Sequence, residues 1–263
     1  MHKLTFYLLW VYALLSAYVV LSAFFGVRYQ PFFTPLLTLV AFVFALLHGS
    51  QRLGWGGSFL FLALTFLVSL VFESVGVATG LVYGLYHYTN KLGPLFLDLV
   101  PYLIPLAWFM MIYPSVLIAA WVVPAQQELW RWRLGTAALA ALVMCAWDLV
   151  MDPMMVNGGH WVWEVQGAYF GIPLQNYWGW WLTTFTIFAL FLWLGRIEPS
   201  LVNSAQGNFD RLAIWLYAVT GLGNIAVTLQ SGLGGPALVG LFAMSPWFLF
   251  AWLKTSAARS DFV

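Results

Sequence analysis

Two aspartates, Asp148 and Asp152, stand four residues apart in the string WDLVMDP, at the end of an apolar run. In a helix this spacing places both side chains on one face, with β-carbons about 5–6 Å apart. Two negative charges about 6 Å apart repel by roughly 3 kcal/mol at an effective dielectric constant near 20, so we expect the pair to retain one proton at neutral pH. A neutral carboxylic acid beside an anionic partner suits proton donation in an apolar pocket. We expect Pro153 to end the helix directly after Asp152.

Other ionisable side chains are expected at the same depth as this pair. Glu73 lies inside a predicted membrane span, Asp98 opens the next one, and Glu164 follows in a loop. A carboxylic acid inside a span costs roughly 2.5–3.5 kcal/mol, so it indicates a function; the alternative is a structural hydrogen-bond network between helices. We prefer Asp152 as the proton donor and Glu73 as the group that orients water or tunes the pair. The full set of catalytic candidates is Asp148, Asp152, Glu73, His160, Glu164 and His87.

The elements that must position these groups are membrane helices. The chain has 263 residues, of which 63% are hydrophobic and 7% charged, which predicts an all-α, polytopic membrane bundle forming a single domain over residues 1–263. The apolar part of the N-terminal stretch is too long for a signal peptide. A seven-helix alternative remains if the last two helices form a hairpin that does not fully span. The eight expected helices cover residues 4–24, 33–50, 58–80, 97–122, 134–152, 175–196, 212–230 and 233–253.

The basic residues predict the orientation of these helices. With eight spans, eight basic residues fall on the side of the termini and two on the other side, so both termini are expected in the cytoplasm. The larger group is Lys3, Arg52, Arg131, Arg133, Arg196, Arg211, Lys254 and Arg259, and the smaller is Arg28 and Lys91. The remaining acids are expected to be ordinary solvated charges on the cytoplasmic side: Glu128, Glu198, Asp210 and Asp261.

A long outer loop, residues 153–173, is too rich in tryptophan, tyrosine and glycine for a solvated linker. Its alternating HWVWE string predicts a small hairpin or re-entrant lid. Some of the aromatic residues in and just after this loop, Trp180 and Trp181 especially, are expected in an interfacial belt. Others could line a pocket and stabilise a cation, and a small residue could let an elongated ligand approach closely. The substrate-binding candidates are Trp147, Trp161, Trp163, Tyr169, Phe170, Tyr86, Tyr83, Asn176, Gln175 and Gly80.

These residues fit three reaction classes to different degrees. Membrane di-iron chemistry needs clustered histidines, and the chain has four scattered ones. An Mg-dependent prenyltransferase could use the D-x-x-x-D pair to hold a diphosphate, but the second acid-rich motif and the basic residues that a diphosphate needs are absent. Acid-catalysed addition of water to a trisubstituted alkene requires acids, aromatic faces and water, and the composition permits this reaction without identifying it. The net charge of +1 and the single Cys145 indicate no nucleic-acid partner, disulfide framework or thiolate metal site.

Several strings between about residues 70 and 185 resemble the membrane carotenoid 1′,2′-hydratase family, of the bacterioruberin and γ-carotene hydratase type. They are FESVGVATGLVYGLYHYT, PYLIPLAWFMMIYPS, WDLVMDPMMV, HWVWE and GAYFGIPLQNYWGWWLTT, in this order. The resemblance implies a carbon–oxygen lyase without a cofactor, which hydrates the terminal 1,2 double bond of an acyclic carotenoid end group.

The resemblance also leaves a non-enzymatic alternative open, because family members need not share one activity. A pigment-binding or scaffold subunit of a membrane complex would keep the aromatic pocket but tolerate loss of the acids. In either case the expected partners are a carotenoid, water for the enzyme, membrane lipid and other enzymes of carotenoid synthesis. The expected location is the cytoplasmic membrane of a prokaryote.

Overall fold

The computed structural model describes residues 2–27, 30–201 and 206–260, so Arg28 and Asp261 lie outside the described residues. It confirms the predicted all-α bundle, because seven of the described helices are long and apolar enough to cross a membrane. Their bounds are α1 His2–Phe24, α2 Phe33–Thr79, α3 Leu103–Val122, α4 Leu129–Asn157, α5 Leu174–Leu194, α6 Gly207–Gln230 and α7 Gly234–Ser260.

Helix α2 is folded at Gly54, whose φ of 70° and ψ of 166° are not helical. A positive φ is accessible to glycine at little cost. The chain doubles back there: a β-carbon built on Gly49 would lie 3.1 Å from Ser58 Oγ, although nine residues separate them. Two arms result, residues 33–53 and 55–79, which correspond to the second and third predicted helices. Helices α6 and α7 are separate, and each is long and apolar enough to cross a membrane.

Helix α3 is the central helix of the bundle, with nearly all its side chains from Ile104 to Ala120 buried. It begins later than predicted because the preceding residues form a short hairpin of β2, Leu95–Phe96, and β3, Val100–Pro101. Asp98 lies in the exposed turn of this hairpin, with φ of 56°. The expectation that Asp98 opens this helix is therefore wrong.

Helix α4 continues through Pro153 to Asn157, so the prediction that proline ends it is also wrong. Proline lacks the N–H that would bond to the carbonyl four residues earlier. The Tyr169 hydroxyl donates to that carbonyl, Leu149 O, at 2.8 Å. A side chain from the following loop thus satisfies the acceptor that Pro153 frees, and Asp152 remains inside the helix.

The loops after α2 and α4 meet in a two-stranded antiparallel sheet of β1, Tyr86–Tyr88, and β4, Trp161–Trp163. The HWVWE string was predicted to pair within its own loop, and it pairs instead with the segment after α2. Tyr86 lies opposite Trp163, and Tyr88 opposite Trp161. We call the end of the bundle that carries this sheet the site end.

A buried polar network occupies the opposite end of the bundle. Arg52 donates to both carboxylate oxygens of Asp210, which also accepts from the Trp121 indole N–H at 2.9 Å. His48 bonds to the Tyr113 hydroxyl at 2.6 Å beside this pair. Asp210 is fully buried, so the expectation of a solvated charge is wrong for it. The network ties the first arm of α2 to α3 and α6.

Candidate active site

A cavity of about 650 Å³ lies beneath the β1–β4 sheet at the site end. Helices from all sides contribute to its wall, including α1, both arms of α2, α3, α4, α5 and α6. Its volume is within the range of small-molecule sites. Apolar side chains such as Val19, Leu37 and Ile104 line one part, and Glu73 and Asp152 are its acids.

Asp152 projects from α4 into the cavity wall and is 1% exposed. Its Oδ1 accepts from the Trp161 indole N–H at 2.6 Å, and its Oδ2 accepts from the Asn176 amide at 2.8 Å. The same amide nitrogen donates to Asp148 Oδ2 at 2.9 Å. Asn176, on the first turn of α5, therefore bridges the two acids, and the predicted pair exists.

Asp148 differs from Asp152 in its access to the cavity. It is completely buried behind the wall and does not line the cavity. No hydrogen-bond donor among the described residues reaches its Oδ1. A buried charged oxygen without a donor is costly, so this environment favours a protonated or shared form of Asp148. The structure thus makes Asp152 the member of the pair that can touch a ligand.

Glu73, from the second arm of α2, is the other acid on the wall. Its Oε2 accepts from the hydroxyls of Tyr86 and of Tyr88, the latter at 2.9 Å, and its Oε1 accepts from the Trp108 indole N–H at 3.1 Å. Burial and, after it, the Glu73 charge hold the pKa of Tyr86 and Tyr88 well above the usual value, so both phenols stay protonated donors. Three donors around one carboxyl group stabilise a negative charge on it.

His160 lines the cavity together with Lys91, Asn157 and Gly158, and we call these four residues the polar rim. Its Nδ1 lies 3.2 Å from the carbonyl of Met155. Burial lowers the pKa of His160 from 6.5, so the imidazole is neutral at pH 7. Lys91 donates to the Gly158 carbonyl at 2.7 Å and is the cation on this rim within the described chain. The rim therefore places polar groups where the cavity wall meets the exposed surface.

His87 and Glu164, two of the catalytic candidates, do not reach the cavity. They bond to each other at 2.6 Å on the outer surface, where both side chains are about half exposed. Alternate residues of a strand point to opposite faces of a sheet. Because Tyr86, Tyr88, Trp161 and Trp163 occupy the inner face, His87 projects outward.

Four proposed substrate contacts have other positions. Tyr169 satisfies the α4 carbonyl described above, and Phe170 is exposed and packs against Gly235. Gln175 donates to the carbonyls of Gly80 and Leu81 at 3.0 and 2.7 Å. Gly80 itself ends α2 with φ of 71°, and a β-carbon there would meet Leu85 rather than the cavity. These residues shape the site end without lining the cavity.

The remaining predicted contacts do line the cavity: Tyr83, Tyr86, Trp147, Trp161, Trp163 and Asn176. Trp180 also lines it and is buried, so its assignment to an interfacial belt is wrong. Trp108, Tyr88 and Asn224 also belong to the polar and aromatic wall but are absent from the candidates. The sequence could have indicated Tyr88, because in a strand it points to the same face as Tyr86, two residues earlier. Trp108 and Asn224 lie in apolar helices, where sequence alone does not show which face is buried.

The family model described as carotenoid biosynthesis protein matches residues 33–246 of the chain. A protein named bisanhydrobacterioruberin hydratase, from Haloarcula japonica, is 36% identical over 160 residues, which are 60% of this chain and 50% of that protein. The chain thus spans about half the length of this curated relative. No solved structure matches the chain.

Proposed function

Because the chain belongs to the carotenoid biosynthesis protein family, we propose that it is a cofactor-independent membrane hydratase acting on the terminal 1,2 double bond of an acyclic carotenoid end group. The observation that carries the proposal is the position of Asp152. Its carboxyl group lies on the wall of an apolar, aromatic cavity and is bridged by Asn176 to a second acid. That arrangement suits a carboxylic acid that delivers a proton to an uncharged substrate.

The proposed reaction has two steps. The Asp148/Asp152 pair shares one proton; when Asp152 holds it, its carboxyl group donates that proton to the less substituted carbon of the double bond, and a tertiary carbocation forms at the other carbon. A water oxygen then bonds to that carbon and releases one proton to a carboxylate of the site, which restores the acid. One water is consumed for each tertiary alcohol formed, and a carbon–oxygen lyase is the reaction class.

Glu73 is assigned an electrostatic and water-orienting role in this scheme. Its three donors, from Tyr86, Tyr88 and Trp108, support a negative charge that faces the developing cation. Asp148 acts behind the wall, sharing the Asn176 amide with Asp152. His160 is a secondary candidate for holding the attacking water, because it is neutral and lies on the polar rim.

The Mg-dependent prenyltransferase alternative fits these residues less well. Mg²⁺ takes oxygen ligands, whereas the space between Asp148 and Asp152 receives an N–H donor from Asn176. The rim carries Lys91, already bonded to a carbonyl, as its basic group for a diphosphate among the described residues. The hydratase hypothesis requires neither a bound Mg²⁺ ion nor a cluster of basic residues that binds phosphate.

Expression in a host that accumulates an acyclic carotenoid tests the proposal. We expect a new pigment heavier by one water for each hydrated end, and we expect its yield to fall at least about 100-fold in Asp152→Asn, the lower range for removing a general acid. A pigment that co-purifies with the protein at unchanged mass would support the pigment-binding alternative and contradict the hydratase. Protein levels in the membrane fraction control for folding.

A further inference from the structure

Three tryptophans from different helices form a continuous array on the cavity wall. The Trp108 and Trp180 rings, from α3 and α5, stack with centroids 4.2 Å apart and planes inclined by 22°. Trp147, from α4, meets Trp180 edge to face at 5.9 Å and 73°. All three line the cavity that contains Asp152 and Glu73. The array is thus next to both acids of the proposed reaction.

Both ends of the array are held by hydrogen bonds from the indole N–H groups. Trp108 donates to Glu73 Oε1 at 3.1 Å. With the Asn224 amide oriented so that its oxygen faces the indole, which satisfies both of its polar atoms, Trp147 donates to that oxygen at 2.9 Å and the amide nitrogen donates to the Thr220 carbonyl at 3.2 Å. Because each terminal indole is bonded at its one polar atom, its ring plane has a defined orientation. Asn224, on α6, accepts the Trp147 bond and takes no part in the proposed acid chemistry. Glu73, by contrast, accepts the Trp108 bond and is one of the two acids of the cavity.

The chemistry of the cavity indicates what such an array would do. A tertiary carbocation in an apolar chamber needs stabilisation that does not remove a proton from it, since proton loss would regenerate an alkene. Aromatic faces attract a cation electrostatically but are very weak bases. A hydrogen bond from Trp108 to a carboxylate also shifts electron density into the indole and strengthens that attraction. Carboxylates alone would stabilise the cation but could also deprotonate it.

Resting on the proposed function, we propose that Trp108, Trp180 and Trp147 form the cradle that stabilises the carbocation intermediate, and that Asn224 is a positioning residue that holds its Trp147 end. Trp180 is the central member because it contacts both neighbours. The cradle adds catalytic residues on α3 and α5 to the acids on α2 and α4.

Steady-state kinetics of the full-length protein in lipid nanodiscs, with an acyclic carotenoid as substrate, test the cradle. In Trp180→Leu and Trp147→Leu we expect kcat to fall about thirtyfold, the rate factor of one desolvated cation–π contact. Trp180→Phe and Trp147→Phe retain an aromatic face and should keep most of the rate. KM should change much less than kcat in all four. Trp178→Leu is the matched control, because Trp178 lies on the same helix but is exposed and away from the cavity.

The role of Asn224 is tested by combining substitutions. Asn224→Leu should lower kcat no more than Trp147→Phe does, and it should have no further effect in Trp147→Phe, which already lacks the indole N–H. A full additional loss in the double variant would contradict the positioning role. Equal kcat losses in the Phe and Leu variants, or none, would overturn the cradle while wild-type hydration still stands. Absence of hydration by the wild-type protein would instead overturn the proposed function and the cradle with it.

Discussion

Asp148 and Asp152 look equivalent in the sequence, yet their surroundings differ. Both accept from the Asn176 amide, but only Asp152 reaches the cavity and gains a second donor, from Trp161. Asp148 keeps one oxygen without a donor among the described residues. We infer a division of roles, in which Asp152 meets the substrate and Asp148 sets the charge of the pair from behind.

This division predicts different outcomes for two otherwise identical substitutions. Asp148→Asn should lower the rate of hydration by less than about tenfold, because Asp152 keeps its contacts and its access, whereas removal of the general acid costs at least about 100-fold. Asp148→Asn should also leave the melting temperature unchanged or raised, since it removes a buried acid that is incompletely bonded. Product formation and thermal unfolding of the purified variant provide the measurements. A loss as complete as that of Asp152→Asn would contradict the division.

At the residue scale, a functional residue could be recognised in the sequence when its residue type is rare in the chain. Acids stand out in an apolar chain, and Asp152 and Glu73 do lie on the cavity wall. Tryptophan does not stand out when the chain has sixteen, so the functional meaning of Trp108 and Trp180 depends on which helix face is buried. The prediction that His87 is catalytic did not anticipate that its side chain points away from the cavity. That orientation depends on pairing with a strand over 70 residues away.

At the element scale, close packing around Tyr83 joins the second arm of α2 to α5. A β-carbon at Gly76 or at Gly179 would lie 2.6 Å from the Tyr83 ring, on its two sides. The Tyr83 hydroxyl also bonds to Thr183 Oγ1 at 2.8 Å. The tyrosine therefore fixes the distance between the helix that carries Glu73 and the helix that carries Asn176.

Alanine substitutions at these glycines test that packing. Gly76→Ala and Gly179→Ala should each destabilise the protein by about 1–3 kcal/mol, the usual cost of overpacking, and should reduce hydration because Glu73 and Asn176 move apart. The matched control is Gly56→Ala in the same helix as Gly76, where a β-carbon meets nothing within 4 Å. Thermal unfolding in detergent provides the measurement. Wild-type stability in both Gly76→Ala and Gly179→Ala would show that Tyr83 does not fix the distance between the two helices.

Hydrophobicity located the helices, and it left the connections undetermined. The two arms of α2 and the helices after them were expected near their observed positions, since apolar length alone identifies a span. The continuation of α4 past Pro153 depends on a hydroxyl from Tyr169, and the β1–β4 sheet depends on a distant strand. Such long-range compensation is not visible in a local pattern.

At the scale of the whole molecule, the basic residues are distributed unequally between the two ends of the bundle. Arg52, Arg131, Arg133 and Arg196 lie at the end opposite the site, and Lys91 lies at the site end. The positive-inside rule places the basic end in the cytoplasm. We therefore propose that the protein lies in the cytoplasmic membrane of a prokaryote with the site end facing outward.

Thiol labelling of intact cells tests this orientation. In a Cys145→Ala background, Glu164→Cys should react with a membrane-impermeant maleimide, because Glu164 is exposed at the site end. Arg131→Cys, equally open to solvent but at the other end, should react only after the cells are lysed. The reverse pattern would invert the proposed topology, although the chemistry of the cavity would be unaffected.

The central claim is that the protein protonates a carbon of the substrate before water adds. Hydration by the purified protein in heavy water measures this most directly, because the acid exchanges its proton with the solvent. Mass spectrometry of the product, after hydroxyl groups have exchanged back, should show one carbon-bound deuterium for each hydroxyl group added. A hydroxylated product without carbon-bound deuterium would contradict protonation of the alkene and with it the assigned role of Asp152.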